Sequence, residues 1–422
     1  MTRPLKSLAA VLFVLLPWAC PAATLEALIA SALDAHPAIQ AQQAQQAAAQ
    51  AGVESARWQY YPTPSLAMER ASAGGSDPAY QGDASVSTLR LQQPLWTGGR
   101  LSAGLERAQA GLLSSRASLE EVRQQVALRV VQAYCDWLAA HLKVQANEKS
   151  LATHVSLHAQ VRRRIEEGAS AQSDLMLAVA RLKSLEADLA SVRAQRDIAV
   201  AHLEQLLGRR VQGSELSVGI ATPRRFPTGL AALLEQALQQ HPSIQRAKAQ
   251  ASVQEASAAE RRAELSPEVY VRAERQYGNF TYSGSAPESR IFIGFSSRLG
   301  AGLSSLSNAD AAKSMHQAAL ADVMAQSRTV SEQVLSDHSL VQVSQDRLDA
   351  LKAALGAAAE VSESYDRQFL AGRKSWLDLM NATREVAQTE VQLAEVQSTW
   401  VLVSWRLSLY TQGLAAMLAG HS

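Results

Sequence analysis

At 422 residues the chain is long enough for two or three ordinary domains, but only 5% of it is aromatic, and Ala and Leu supply most of the 47% that is hydrophobic. That profile excludes a sandwich or a doubly wound sheet in favour of long helices. The formal net charge is +1, and no Lys/Arg stripe is interleaved with aromatics, so nucleic acid is excluded as a partner.

The N-terminus reads as an export signal over residues 1–23. Arg3 and Lys6 precede an apolar run from Leu8 to Leu16, and the small residues Ala19, Cys20, Ala22 and Ala23 follow. The run is too short to span a bilayer as a helix. Cys20 leaves a lipid anchor open, although Pro17 stands where a lipobox wants a branched apolar residue. Beyond this segment Cys135 is the remaining cysteine, so no intrachain disulfide is expected. No later stretch offers 18 uncharged apolar residues, so membrane entry would have to be made by strands.

The rest of the chain is a tandem duplication. At an offset of 205, Leu25, Ala27, Leu28, Ala32, Leu33, His36, Pro37, Ile39, Gln40, Ala44 and Pro62 each meet an identical residue. At an offset of 204, Gly168, Asp174, Leu175, Met176 and Ala178 fall on Gly372, Asp378, Leu379, Met380 and Ala382. The first repeat is placed at residues 24–215 and the second at 229–415, with a linker at 216–228 and a tail at 416–422.

Each repeat follows one order. A short helix ends near His36 or His241, because a proline follows. A second helix runs to Trp58 or Leu265 and is stopped by Pro62 or Pro267. A β-hairpin comes next, at about 64–95 and 268–298. Ile291, Ile293 and Phe295 share one strand face there, while Arg290, Phe292 and Gly294 share the other. Trp58, Tyr60, Tyr61 and Trp96 flank the first hairpin, either as an interfacial aromatic belt or as packing at a helix–strand junction. Long helices over about 101–167 and 304–370 would each reach about 100 Å. The chain turns at Gly168 and Gly372, giving coil tips at about 166–173 and 369–377. In the first returning helix Leu182, Leu185, Leu189, Val192, Ala199, Leu203 and Leu206 keep a coiled-coil seam, broken at Arg196.

Four strands do not close a barrel, and an open edge in lipid leaves backbone groups unpaired. Three chains sharing one barrel would supply twelve strands. Gln93-Pro94-Leu95-Trp96-Thr97-Gly98-Gly99-Arg100, leading from a strand into a long helix, resembles a motif of TolC-like outer-membrane factors. Arg298-Leu299-Gly300-Ala301-Gly302 is its weaker echo. Gly168-x5-Asp174-Leu175-x2-Ala178 and Gly372-x5-Asp378-Leu379-x2-Ala382 also resemble that family, over essentially all of residues 24–415.

The resemblance implies a mainly α fold with a small β part. It implies a homotrimer whose coils form a tunnel in the periplasm and whose strands share a barrel in outer-membrane lipid. Its partners would be a periplasmic adaptor (a membrane fusion protein) and an inner-membrane pump or ABC transporter. It implies efflux or type I protein secretion, no cofactor and no catalysis. By the same resemblance Asp378 would form an acidic ring in the pore, with Asn381 one turn later where some members carry a second acid. Asp174 and Lys374 would form a latch between coils, worth about 0–1 kcal/mol if exposed. Gly168, Gly372 and Trp376 would mark the adaptor contact, unless Trp376 packs inside the coil. On the residues alone, Asp174 and Asp378 are equally explained as caps of the returning helices.

Other chemistry lacks support. His154 and His158 share a helix face without a further ligand cluster, and Gly300-x-Gly302 lacks a third glycine. The Arg162-Arg163-Arg164 run reads as a solvated helix face. The competing architecture is a periplasmic coiled-coil scaffold or adaptor without a transmembrane barrel.

Overall fold

The computed structural model describes residues 24–72, 77–211, 215–219, 226, 229–297 and 300–419. The expected signal segment and Cys20 lie outside the described residues, as do Arg298 and Leu299.

Helix α1 (Leu25–Ala35) is capped by Thr24, whose hydroxyl accepts from the Ala27 N–H at 3.2 Å. His36 then ends α1 in extended backbone and caps α2 (Pro37–Trp58), its Nδ1 accepting from the Ala38 N–H at 3.2 Å. Pro37 sits at the first helical position, where a missing N–H costs nothing. The second repeat uses the same device, with His241 between α5 (Leu230–Gln240) and α6 (Pro242–Ala263). The repeated His-Pro pair is therefore a corner.

Strands β1 (Thr63–Arg70), β2 (Ser85–Trp96), β3 (Glu268–Tyr277) and β4 (Glu288–Ser296) make one antiparallel sheet in the order β1-β2-β3-β4. The two expected hairpins are thus fused through β2 and β3. Register sets Leu91 beside Ala273 and Ala273 beside Ile291, with Val271 beside Ile293 and Val269 beside Phe295. Among the described residues nothing covers this apolar face, and Ile291, Ile293 and Phe295 are each 78% exposed. Arg275 interrupts it near the loop end. The opposite face carries a charged row, Arg90 beside Glu274 beside Arg290, with Arg90 Nε 2.6 Å and Arg272 Nε 2.9 Å from Glu274 Oε1.

The Gln93–Arg100 segment turns strand into helix. Gln93 Nε2 donates to the Tyr60 carbonyl at 2.9 Å, which ties the end of β2 to the end of α2. The register shifts between Pro94 and Trp96, and Gly98 and Gly99 then adopt φ of +61° and +89°. A Cβ on Gly98 would meet the Ser266 Cβ at 2.1 Å. Gly98→Ala is accordingly expected to cost about 1–3 kcal/mol, read as a lowered Tm of the detergent-solubilised protein; an unchanged Tm would refute this account of the turn.

Helices α3 (Arg100–Glu166) and α7 (Ser304–Leu370) each have 67 residues, about 100 Å. They return as α4 (Gln172–Leu207) and α8 (Trp376–Thr411), and α9 (Gly413–Ala419) closes the chain. Starts at 100 and 304 reproduce the offset of 204, and starts at 25 and 230 that of 205. Within the chain α3 packs on α4 and α8, and α7 packs on α8 and α6, so α4 and α7 are the two outer members of the four long helices.

The main core joins Leu28 and Ile29 of α1, Val130, Tyr134 and Leu138 of α3, Leu203 of α4, and Trp405 of α8. Met417 of α9 belongs to it at 1% exposure, so the tail expected at 416–422 begins inside a packed helix. Leu216 and Val218 are also docked here, and Tyr134 Oη donates to the Ser217 carbonyl at 2.9 Å, so the start of the expected linker is anchored. A second core joins Leu233 and Ala237 of α5, Ile244 of α6, Val330 and Val334 of α7, and Leu407 of α8. Beside it, fully buried Asp337 of α7 accepts a two-pronged bond from Arg406 of α8, and Gln333 Nε2 donates to it at 3.0 Å.

Candidate gate at the coil tips

Both coils turn by the same hydrogen-bonded motif. Gly168 and Gly372 have φ of +77° and +69°; the Ala169 N–H donates to the Arg164 carbonyl at 2.7 Å, and that of Arg373 to the Gln368 carbonyl at 2.8 Å. Open space surrounds each glycine, so backbone conformation rather than crowding demands it.

Ser375 caps α8. Its hydroxyl accepts from the Asp378 N–H at 3.1 Å and donates to Asp378 Oδ2 at 2.8 Å, a reciprocal pair that fixes the carboxylate. Asp378 therefore stands at the third helical position rather than at the cap. The Ser375 hydroxyl first, and the nearby Lys374 charge less strongly, hold its carboxyl below the usual range. Lys374 Nζ lies 3.8 Å from Asp378 Oδ2 and 4.3 Å from the centroid of the Tyr365 ring. Asn381 is exposed one turn on and lines a groove between α8 and α4, beside Met380 and Arg384 and across from Leu177 and Arg181. Asp174 occupies the third position of α4, where Ala171 stands as a cap without a side-chain bond. Among the described residues no ion pair joins Asp174 to Lys374 within the chain.

Trp376 is not an exposed contact. It is 4% exposed and packs at 5.7 Å on Phe369, among Leu157, Val161, Ala178, Leu379 and Met380. An indole of that area is stabilised far more by filling the space between coils than by facing water. Arg164 is likewise not merely a solvated charge: its Nη1 donates to the Phe369 carbonyl at 2.5 Å, and its guanidinium lies 4.5 Å over that ring. Its position 204 residues before Gln368, in the last turn of a helix, gave no sign of this. His154 is accounted for locally, since Nδ1 meets the Ser150 carbonyl at 2.8 Å and burial pushes its pKa down. No group of three or more metal-type side chains occurs among the described residues.

A sheet with an uncovered apolar face, standing on paired helices about 100 Å long, defines a class: a membrane-seated β element continued by a helical conduit. The outer membrane efflux protein model matches residues 28–209 and 233–411, one match to each repeat, and the chain belongs to that family. It is thus a protein of the outer-membrane efflux channel family, not an enzyme. Among curated proteins it is similar to the alkaline protease secretion protein AprF of Pseudomonas aeruginosa, with 23% identity over 344 residues, 78% of this chain and 69% of that protein. Among solved structures its fold is similar to CusC, with a TM-score of 0.82, 18% identity and 92% of each chain covered. It is also similar to the open state of the MtrE outer membrane channel of Neisseria gonorrhoeae, with a TM-score of 0.76, 18% identity and coverage of 93% and 90%. The scaffold or adaptor alternative is set aside by this family membership.

Proposed function

We propose that three copies of this chain close a twelve-stranded barrel in the outer membrane and continue it as a helical tunnel, the exit duct of a tripartite export machine. The observation that carries this reading is the sheet. Among the described residues its outer strands β1 and β4 each have one strand partner, β2 and β3 respectively, while one face exposes Leu66 and Met68 at 75% and Phe295 at 78%. Joining β4 of one chain to β1 of the next pairs the edges, puts that face in lipid and turns the charged row around Glu274 toward water. Trp58, Tyr61 and Trp96, at 69%, 58% and 53% exposure, then sit as an aromatic belt at one end of the barrel.

The tunnel closes at the tips, where three Asp378 carboxylates form a ring that favours cations. Asn381 adds no charge, so the ring is single. The latch runs between Lys374 and Asp174 of the next chain, because α4, which carries Asp174, lies at the edge of its own chain. The Gly168 and Gly372 turns meet a periplasmic adaptor, which couples the duct to an inner-membrane pump or ABC transporter. The signal sequence over residues 1–23 would direct export. AprF is named for secretion of an alkaline protease, which supports protein cargo, whereas the family's description is efflux; the conduit suits both.

Lys374→Glu tests the latch. It places a third carboxylate where those of Asp378 and Asp174 already repel it, and the expected result is a severalfold rise in resting conductance in planar bilayers. Conductance equal to that of the unmodified protein would leave Asp174 and Asp378 as helix-start residues only.

A further inference from the structure

We propose that the lipid-facing side of the sheet carries, near its outer rim, a site for the phosphate-bearing headgroup of an outer-leaflet lipid, held by Arg70 and Arg275. This rests on the barrel reading above. Cross-strand partners share a face. The register that sets Pro64 beside Leu91 and Leu91 beside Ala273 therefore also puts Arg70, beside Ser85, and Arg275, beside Leu89, on the apolar face. Both arginines are exposed. Among the described residues neither forms an ion pair, whereas on the charged face Arg90 and Arg272 pair with Glu274, and Arg290 with Glu288. Two cations are thus left unanswered on the side that meets lipid.

Their depth suits a headgroup. From Trp96 to Ser85 the 12 residues of β2 cover about 37 Å, which a tilt of about 40° converts to about 28 Å of height, close to the apolar band of about 25 Å that such barrels carry. Arg70, level with Ser85, therefore stands at the outer interface when the belt of Trp58, Tyr61 and Trp96 stands at the inner one. Arg275, level with Leu89, starts deeper. Its guanidinium lies 5.4 Å from the centroid of the Tyr277 ring, two residues nearer the rim, so the charge leans outward. A lipid-facing Arg is costly at the midplane and tolerated close to the interface, where phosphate answers it with charge-assisted hydrogen bonds. The carboxylate of Asp83, at the loop end of β2, accepts from the Asn279 N–H at 2.9 Å and is spent on tying the two hairpin loops together. The helix-side end of the apolar face, with Val269, Val271, Ile293 and Phe295, carries no charge, so the arginines single out one leaflet. Around and below them Leu66, Met68 and Leu89 are exposed, an apolar bed for acyl chains that a free phosphate would not use.

The test uses the full-length trimer in detergent, with lipid retention read by native mass spectrometry. The probes are a bisphosphorylated glucosamine lipid (lipid A), its dephosphorylated form and inorganic phosphate. The unmodified trimer should hold the phosphorylated lipid about tenfold more tightly than the dephosphorylated one, and a large excess of phosphate should not displace it. Arg70→Gln combined with Arg275→Gln should lose about tenfold in that affinity while the protein stays trimeric with an unchanged Tm. Arg90→Gln, on the opposite face, should lose none. Equal affinity in the double variant, equal affinity for the dephosphorylated lipid, or an equal loss in Arg90→Gln would each overturn the proposal. Displacement by phosphate would overturn it too, by showing an anion site that does not need lipid. All of these outcomes leave the barrel reading standing. A monomer that needs no detergent would instead remove the lipid face, and both readings with it.

Discussion

Asp378→Ala is expected to weaken block of the channel by multivalent cations roughly tenfold and to reduce its preference for cations. One turn carries two duties. Ser375 supplies the cap, and its hydroxyl accepts from the backbone N–H of residue 378, a bond that alanine retains. The start of α8 should therefore survive the substitution, and Trp376, Leu379 and Met380 should stay buried. What alanine removes is an exposed carboxylate that Ser375 and Lys374 keep ionised below the usual carboxylate range. In the proposed trimer three such carboxylates around the axis would make the acidic ring, and neutral Asn381 would not extend it. Unchanged block would take Asp378 out of the pore and leave it as a partner of Ser375 and Lys374.

Asp337→Ala is expected to destabilise the protein by about 3 kcal/mol, the largest single loss foreseen outside the tips. Asp337 is fully buried, and its two oxygens take both prongs of Arg406 while Gln333 donates to one of them. Removing the carboxylate strands a guanidinium between α7 and α8 with little water to solvate it, as its side chain is 26% exposed. Asp337→Asn keeps one acceptor and should cost about 1–2 kcal/mol. Thermal unfolding of the detergent-solubilised protein checks both, and equal Tm values for all three proteins would show that the pair contributes nothing net.

Much of the fold was legible because its signals are local and doubled. Each His-Pro corner announces itself, and the tip glycines are demanded by positive φ, so the boundaries of the paired helices in the two halves agree to within a residue or two. The coil seam could also have revealed Asp337. Val330, Val334, Asp337, Val341, Ser344 and Leu348 step by four and three, so the sequence places an acid in a buried row where a cation must answer it. What sequence spacing does not carry is contact between distant segments. Arg164 lies 205 residues from Phe369, and nothing near either residue specifies their meeting. Trp376 was ambiguous for the same reason, since one indole on a helix start suits both a docking surface and a sealed core. The fusion of two hairpins into one sheet likewise depends on β2 meeting β3 across the length of α3 and α4. Leu303 is a case where the repeat misleads: it takes φ of +63° at the position 204 residues after Gly99, so a strained backbone is kept without the residue that relieves it.

The shared barrel is tested by the conductance of the purified, detergent-solubilised protein in planar bilayers, with its oligomeric mass determined in the same preparation. A shared barrel with a closed tip predicts a trimer that carries small, cation-selective currents. A monomer that leaves the membrane fraction without detergent and carries no current would contradict it.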